Sequence, residues 1–309
     1  MKIVFFGTPS FAAQILQYLL EKGVSVAAIV SQPDRAQGRH LQTSMPAVKQ
    51  KALEINPEIP VLQPQKASDP QFLLGLETYH ADLFVVVAYG QILSQKLLQI
   101  PPLGCINVHA SLLPKYRGAA PIQRCLMNGD TESGVCIQQM VYALDAGDVI
   151  EEAKIPIPPE MTFGELEHQL CNLSKPLLLS VLKKYEHGCP TARPQDSSQI
   201  TVAPKIKPEE TQINWNQNAA RIHNRIRALS PRPGAWCWIG NTERRRLKIL
   251  RAKWLEQKGS PGALIAFEKD QCIVSALDGS LQLLEVQIEG KKVMSAAEWI
   301  RGCQTPPSF

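Results

Sequence analysis

Three polar residues in this chain have the types and spacing for acyl transfer to an amine. Asn107 and His109 stand two apart in the run Cys105-Ile106-Asn107-Val108-His109-Ala110-Ser111-Leu112-Leu113-Pro114, and Asp145 follows in Leu144-Asp145-Ala146-Gly147-Asp148. In an extended strand side chains alternate faces, so Asn107 and His109 project together while Ile106 and Val108 project to the other side. The apolar pair is expected to pack inward and the polar pair to face a cleft. Transfer of a one-carbon acyl group passes through a tetrahedral intermediate bearing an oxyanion. An Asn amide is a fixed neutral donor for that charge, and losing one such donor costs about 10²–10³ in rate. A protonated His donates as well and exchanges protons with the amine, an effect of about 10²–10⁴. An Asp beside the His favours imidazolium and holds the ring.

These residues need a scaffold that presents strand ends. Residues 2–6 form an apolar run, followed by Gly7-Thr8-Pro9 and a helical pattern through Phe11, Ile15, Leu19 and Leu20 that Gly23 ends. Apolar strands at 24–30, 83–88 and 104–108 continue the series. Near-continuous apolar strands alternating with helices predict an α/β fold, a Rossmann-like, doubly wound and mostly parallel sheet covered on both faces. Right-handed crossovers then put the ligand cleft on one edge of that sheet. The turn Gly7-Thr8-Pro9-Ser10-Phe11-Ala12 lacks the GxGxxG spacing that admits a pyrophosphate, so a dinucleotide is not expected.

From 182 to 207 the chain turns polar and Pro-rich, with Pro190, Pro194 and Pro204 around Asp196-Ser197-Ser198, and reads as an extended linker. Beyond it, residues 218–229 put Ile222, Ile226 and Leu229 on one helical face and Arg221 and Arg225 on another, until Ser230-Pro231 stops the helix. Strands follow: Trp236 and Trp238 alternate before a Gly240-Asn241 turn, and Leu247, Ile249, Ala252 and Trp254 alternate with a slip at Leu250 that predicts a bulge. Residues 263–267, 272–277 and 281–288 complete the set, the last two joined through Asp278-Gly279. The expected domains are a catalytic domain over 1–188, a linker over 189–206 and a small C-terminal OB-like β-barrel over 207–309.

A length of 309 residues suits two domains, and 44% apolar with 20% charged residues is ordinary for a globular chain. No stretch reaches the roughly eighteen apolar residues of a membrane span. Only four apolar residues separate Met1-Lys2 from Gly7, which is too short for a secretory signal, so a cytoplasmic protein is expected. The cysteines Cys105, Cys125, Cys136, Cys171, Cys189, Cys237, Cys272 and Cys303 form no CxxC pair or metal-spaced cluster; they read as reduced, and no metal is expected. Charge is uneven. Residues 1–204 hold 16 Lys and Arg against 18 Asp and Glu, a balance of −2, whereas 205–309 hold 17 against 10, a balance of +7. A basic C-terminal part suits a polyanionic partner.

The run 106–114, continued by Lys115-Tyr116-Arg117-Gly118-Ala119-Ala120-Pro121-Ile122-Gln123, resembles the formyltransferases that use 10-formyltetrahydrofolate. The landmarks Gln32-Pro33-Asp34-Arg35, Val87-Ala88-Tyr89-Gly90, Pro204-Lys205-Ile206, Ile213-Asn214-Trp215 and Gly290-Lys291-Lys292-Val293-Met294-Ser295-Ala296 resemble, more narrowly, members that act on methionyl initiator tRNA. The resemblance implies a catalytic set of Asn107, His109 and Asp145, with Ser111, Leu112, Leu113 and Pro114 lining the folate pocket. It also implies that Arg39, in the loop 35–42, reaches the acceptor end of the tRNA. Family members commonly follow that arginine with lysines, where this chain has Leu41 and Gln42. Lys205, Lys207, Arg244, Arg245, Arg246, Lys248, Lys291 and Lys292 are then the expected phosphate contacts, each steepening the salt dependence of binding. The expectation is a monomer that formylates methionyl initiator tRNA. The rivals are a folate-dependent formyltransferase for a small amine, an amino-sugar nucleotide or a glycinamide ribonucleotide, and a non-catalytic RNA-binding protein.

Overall fold

A computed structural model describes residues 1–37, 42–240, 244–268 and 270–309. In chain order the first elements are β1 (Lys2–Gly7), α1 (Ser10–Glu21), β2 (Ser25–Val30), β3 (Arg35–Gln37), β4 (Gln42–Ser44), α2 (Ala47–Ile55), β5 (Val61–Leu62), α3 (Pro70–Glu77), β6 (Leu83–Val87), α4 (Gln95–Leu98) and β7 (Cys105–His109). Then come α5 (Pro121–Asn128), β8 (Glu132–Gln139), β9 (Val149–Pro156) and α6 (Phe163–Glu186). The last third holds α7 (Ala219–Leu229), β10 (Ala235–Ile239), β11 (Arg245–Leu255), β12 (Leu264–Glu268), β13 (Gln271–Ser275), β14 (Ser280–Ile288), β15 (Met294–Ser295) and α8 (Ala296–Arg301).

The main sheet runs β5-β2-β1-β6-β7-β8-β9. β1 is parallel to β2 and β6, β6 is parallel to β7, and β8 turns antiparallel against β7. This is the expected Rossmann-like sheet. Alternate residues Val4, Phe6, Phe84 and Val86 belong to one buried cluster, while their neighbours Ile3, Phe5 and Val85 are also buried, so both faces are covered. The strand order reverses between β1 and β6, where an open sheet offers a crevice at its carboxyl ends. Here the protein closes part of it: Thr8 Oγ1 donates to the Tyr89 carbonyl at 2.7 Å, and Gln32 Nε2 donates to the same oxygen at 3.3 Å. A Cβ on Gly7 would lie 2.7 Å from Ala12 Cβ and 2.8 Å from the Phe5 ring. Gly7 therefore permits close packing of α1 on the sheet.

Packing divides the chain into two compact units, Met1–Gly118 with Gly134–Ile155 and His168–Val202, and Ala119–Ser133 with Pro156–Glu167 and Ala203–Phe309. A division at 189–206 alone does not describe this packing. Residues up to Val202 stay with the first unit through backbone pairing of Arg193 with Val149 and of Arg117 with Val202. α5 joins the second unit, where Arg227 on α7 donates to the Leu126 carbonyl at 3.3 Å.

The second unit is built on an antiparallel sheet, β10-β11-β14-β13-β12, with β15 paired to β14. Its inward residues Cys237, Leu247, Ile249, Leu281 and Val286 share one core with Ile222 and Ile226 of α7 and Trp299 of α8. The expected slip is present. Pairing passes from Ile249 to Arg251, leaving Leu250 as the extra residue of a bulge. The expected Gly240-Asn241 turn falls partly on 241–243, outside the described residues. Among the described residues no helix is long and apolar enough to cross a membrane.

Candidate active site

Strand β7 carries the polar pair as alternation requires. Ile106 and Val108 are buried, Asn107 is half-buried, and His109 is 6% exposed at the carboxyl end of the strand. Antiparallel pairing places Gln138 opposite Asn107 and Cys136 opposite His109, so Gln138 joins the same face.

Asp145 reaches this face from the loop after β8. Its backbone lies in the left-handed region, with φ at 49°, a conformation that Asp tolerates better than most residues. The loop sits directly against β8. A Cβ on Gly147 would be 1.8 Å from the Gln139 carbonyl oxygen, so only glycine fits. Gly118 N–H donates to Asp145 Oδ2 at 2.8 Å, and Gln138 Nε2 donates to Oδ1 at 3.1 Å. Asn107 Nδ2 donates to Oδ1 at 3.4 Å, and His109 Nδ1 lies 3.7 Å from Oδ2. Asn107, His109 and Asp145, predicted from two distant segments, are thus brought together.

Both nitrogens of His109 face oxygens. Nε2 donates to the Tyr116 carbonyl at 2.9 Å, and Tyr116 itself sits at a φ of 63°. Because a carbonyl only accepts, the Nε2 proton is fixed there and Nδ1 is turned toward Asp145. The Nδ1 separation of 3.7 Å exceeds hydrogen-bond length, so this nitrogen remains available for exchange. Burial pushes the thiols of Cys105 and Cys136, on the strands of the site, up to about 12.

The turn after β7 is shaped by its own hydrogen bonds. Ser111 Oγ donates to the Lys115 carbonyl at 2.6 Å, and Lys115 N–H donates to the Leu112 carbonyl at 3.0 Å. Leu113 packs in a buried cluster with Cys136 and Val149, while Leu112 is half-buried beside Gly134, where a Cβ would lie 2.5 Å from its side chain. The side chains of Ser111 and Leu113 are therefore engaged by the protein itself. Pro114 is buried, so the half-buried Leu112 and the backbone are the groups of this run left to meet a flat ring.

In the second unit Lys205, Lys207, Arg244, Arg245, Arg246, Lys291 and Lys292 are exposed and Lys248 is half-buried. Leu247 pairs with Ile288, and Glu289 N–H donates to the Arg246 carbonyl at 3.0 Å, so Arg244 to Arg246 and Lys291-Lys292 lie at one end of the sheet. The Arg246 guanidinium stands 4.4 Å from the Trp236 ring centre and 5.3 Å from that of Trp238. Among the described residues no strand pairing brings Lys205 and Lys207 to that end. Arg39 lies outside the described residues. Sequence reasoning missed Gln138, Gln195 and the Tyr116 carbonyl. Only Gln138 had a signal, its alternation in β8 opposite Asn107.

The chain matches the sequence profile of the formyl transferase family over residues 1–182, and that of the formyl transferase C-terminal domain over residues 205–304. It is 47% identical to the methionyl-tRNA formyltransferase of Protochlamydia amoebophila, the match covering 98% of this chain and 95% of the relative. It is 43% identical to that of Syntrophus aciditrophicus, covering 98% and 96%. Among solved structures it resembles WlaRD, a sugar 3N-formyl transferase crystallised in the presence of dTDP and 5-N-formyl-THF, with a TM-score of 0.67, 18% identity, and coverage of 94% of this chain and 99% of that one. At that identity the likeness is one of fold.

Proposed function

The chain belongs to the formyl transferase family, and from that membership we propose that it transfers the formyl group of 10-formyltetrahydrofolate to the α-amine of methionyl initiator tRNA. The observation that carries this proposal is the convergence of Asn107, His109 and Asp145 in a chain whose likeness to a methionyl-tRNA formyltransferase runs through both units.

In the mechanism we favour, the amine nitrogen bonds to the formyl carbon and the carbonyl electron pair moves onto oxygen. Asn107 has two amide protons; one points toward Asp145 and the other is available to the oxyanion. His109 acts through Nδ1, because Nε2 is tied to the Tyr116 carbonyl. Its Nδ1 proton stabilises the oxyanion and passes to the departing folate nitrogen as the carbon–nitrogen bond breaks, and the proton released by the amine restores it. Asp145 stabilises the imidazolium before the proton leaves Nδ1 and again once the amine proton has restored it. The turn 111–114 lines the donor's pocket, with the half-buried Leu112 and backbone groups toward its ring, and Arg39 reaches the acceptor end of the tRNA. The exposed basic residues of the second unit hold the tRNA phosphates. Both substrates belong to the cytoplasm, and a monomer suffices.

A formylation assay tests the acceptor. With 10-formyltetrahydrofolate as donor, charged initiator tRNA should be formylated far faster than an amino-sugar nucleotide or glycinamide ribonucleotide. Preference for either small amine would overturn the assignment, and folate-independent tRNA binding without turnover would point to a non-catalytic RNA-binding protein.

A further inference from the structure

The segment 193–202, whose composition reads as a linker, touches both groups that flank His109. Tyr116, whose carbonyl holds Nε2, is fixed by this segment: its N–H donates to Thr201 Oγ1 at 2.8 Å, and Arg117 N–H donates to the Thr201 carbonyl at 2.9 Å. Asp145, which faces Nδ1, is fixed by Gln195. Gln195 Nε2 donates to the Asp145 carbonyl at 2.8 Å and to the Gly147 carbonyl at 2.6 Å. Its Oε1 accepts from Arg117 Nε at 3.0 Å and Nη2 at 2.8 Å. One amide thus joins the left-handed turn at Asp145 to the segment that carries Tyr116. All these residues belong to the same compact unit.

Resting on the function proposed above, we infer that Gln195 is a positioning residue for the transfer: it sets the Asp145 turn, and through it the carboxylate that faces His109. A left-handed Asp persists only where its surroundings hold it, and here the two carbonyls of the turn are held by Gln195. The Gln195 side chain touches none of the three proposed catalytic side chains. Its effect passes through those backbone carbonyls and through Gln138, whose Oε1 accepts from Gln195 Nε2 at 3.3 Å and whose Nε2 donates to Asp145 Oδ1 at 3.1 Å; Gly118 N–H, which donates to Asp145 Oδ2, reports where the carboxylate sits.

The test uses the full chain with Gln195→Leu, which keeps bulk and loses every hydrogen bond, and Gln195→Glu, which keeps an acceptor for Arg117 but loses both donors. In both variants kcat should fall about 10- to 100-fold, as expected when a reacting group is displaced by an ångström or less. KM for charged tRNA should stay within about twofold, because binding is untouched. Amide exchange of Gly118 should quicken about tenfold or more, with amides of β1 unchanged. Wild-type kcat together with wild-type Gly118 exchange in either folded variant overturns the inference. So does a rise in KM at constant kcat. So does a Gln195→Glu variant as active as wild type, since only the Arg117 contact would then matter. If wild type fails to formylate tRNA, the function above fails, while Gly118 exchange still decides the role of Gln195. If Gln195→Leu does not fold, Gln195→Glu carries the same readouts, and failure of both to fold assigns Gln195 to stability alone.

Discussion

Replacing Asp145 by Asn removes one charge from the site while keeping an oxygen that can accept from Gly118. The carboxylate lies 3.7 Å from His109 Nδ1, with the two side chains only 11% and 7% exposed. For unit charges at that separation and an effective dielectric constant of about 20, the attraction is about 4 kcal/mol. Each 1.36 kcal/mol is a factor of ten in rate, so full loss of imidazolium stabilisation costs about 10³. The new amide adds a second penalty. With its oxygen toward Gly118, its NH₂ faces Gln138 Nε2 and Asn107 Nδ2, both of which donate to Asp145 in the wild type. Unpaired donors of this kind cost about 1–3 kcal/mol. Asp145→Asn should therefore lower the single-turnover rate about 10²–10³-fold, with a stability loss of about 1–2 kcal/mol. Single-turnover formylation of charged tRNA at saturating donor measures the first, and urea unfolding the second. A folded Asp145→Asn variant within about tenfold of the wild-type rate would refute the electrostatic reasoning.

Gly147→Ala puts a methyl group 1.8 Å from the Gln139 carbonyl oxygen, so the Asp145 loop must move. The variant should lose about 1–3 kcal/mol in urea unfolding and at least about tenfold in kcat, and a wild-type kcat would show that the loop position is unimportant. In the second unit the Arg124 guanidinium, 2.5 and 2.9 Å from the Glu210 oxygens, lowers that carboxyl from 4.5 to about 2. A depressed native pKa stabilises the fold above the unfolded value, and that stability is lost as pH falls from about 4.5 toward about 2. Because Glu210 remains 31% exposed, the contribution is about 1–2 kcal/mol. Arg124→Leu should lose that amount at pH 7 and show a flatter decline in acid, whereas identical unfolding curves from pH 7 to pH 3 would contradict it. Lys291→Ala with Lys292→Ala should weaken tRNA binding for every sequence tested and flatten the plot of log affinity against log salt by about two units. An unchanged slope would remove both lysines from the phosphate contacts.

The sequence made the scaffold legible wherever hydrophobic burial dictates structure. Val4 and Phe6 on one face of β1, with Ile3 and Phe5 on the other, mark a strand covered on both sides. The out-of-step Leu250 marked the bulge of β11 because an alternating strand cannot bury consecutive residues on one face. Asn107 and His109 were legible for the same reason, since period two puts them together. Gln195 was not legible. The partners that tie it to the site include the backbone carbonyls of Asp145 and Gly147, which every residue possesses, and they lie about fifty residues away in sequence. The segment around it is held by backbone pairing, Arg193 with Val149 of β9 and Val202 with Arg117 in the turn after β7, rather than by apolar side chains, so its composition reads as a free linker. The side chains of Ser111 and Leu113, in the same motif as Asn107 and His109, complete a turn and a small core, contacts that the motif's spacing does not announce.

The most direct measurement compares formyl transfer from 10-formyltetrahydrofolate to charged methionyl initiator tRNA by the wild-type chain and by His109→Ala, with tRNA affinity determined for both proteins. The account predicts rapid formylation by wild type, a loss of several orders of magnitude in kcat for His109→Ala, and tRNA affinity that is the same for the two. Near-normal turnover by folded His109→Ala, or a wild-type chain that binds charged tRNA and leaves its amine unformylated, would contradict it.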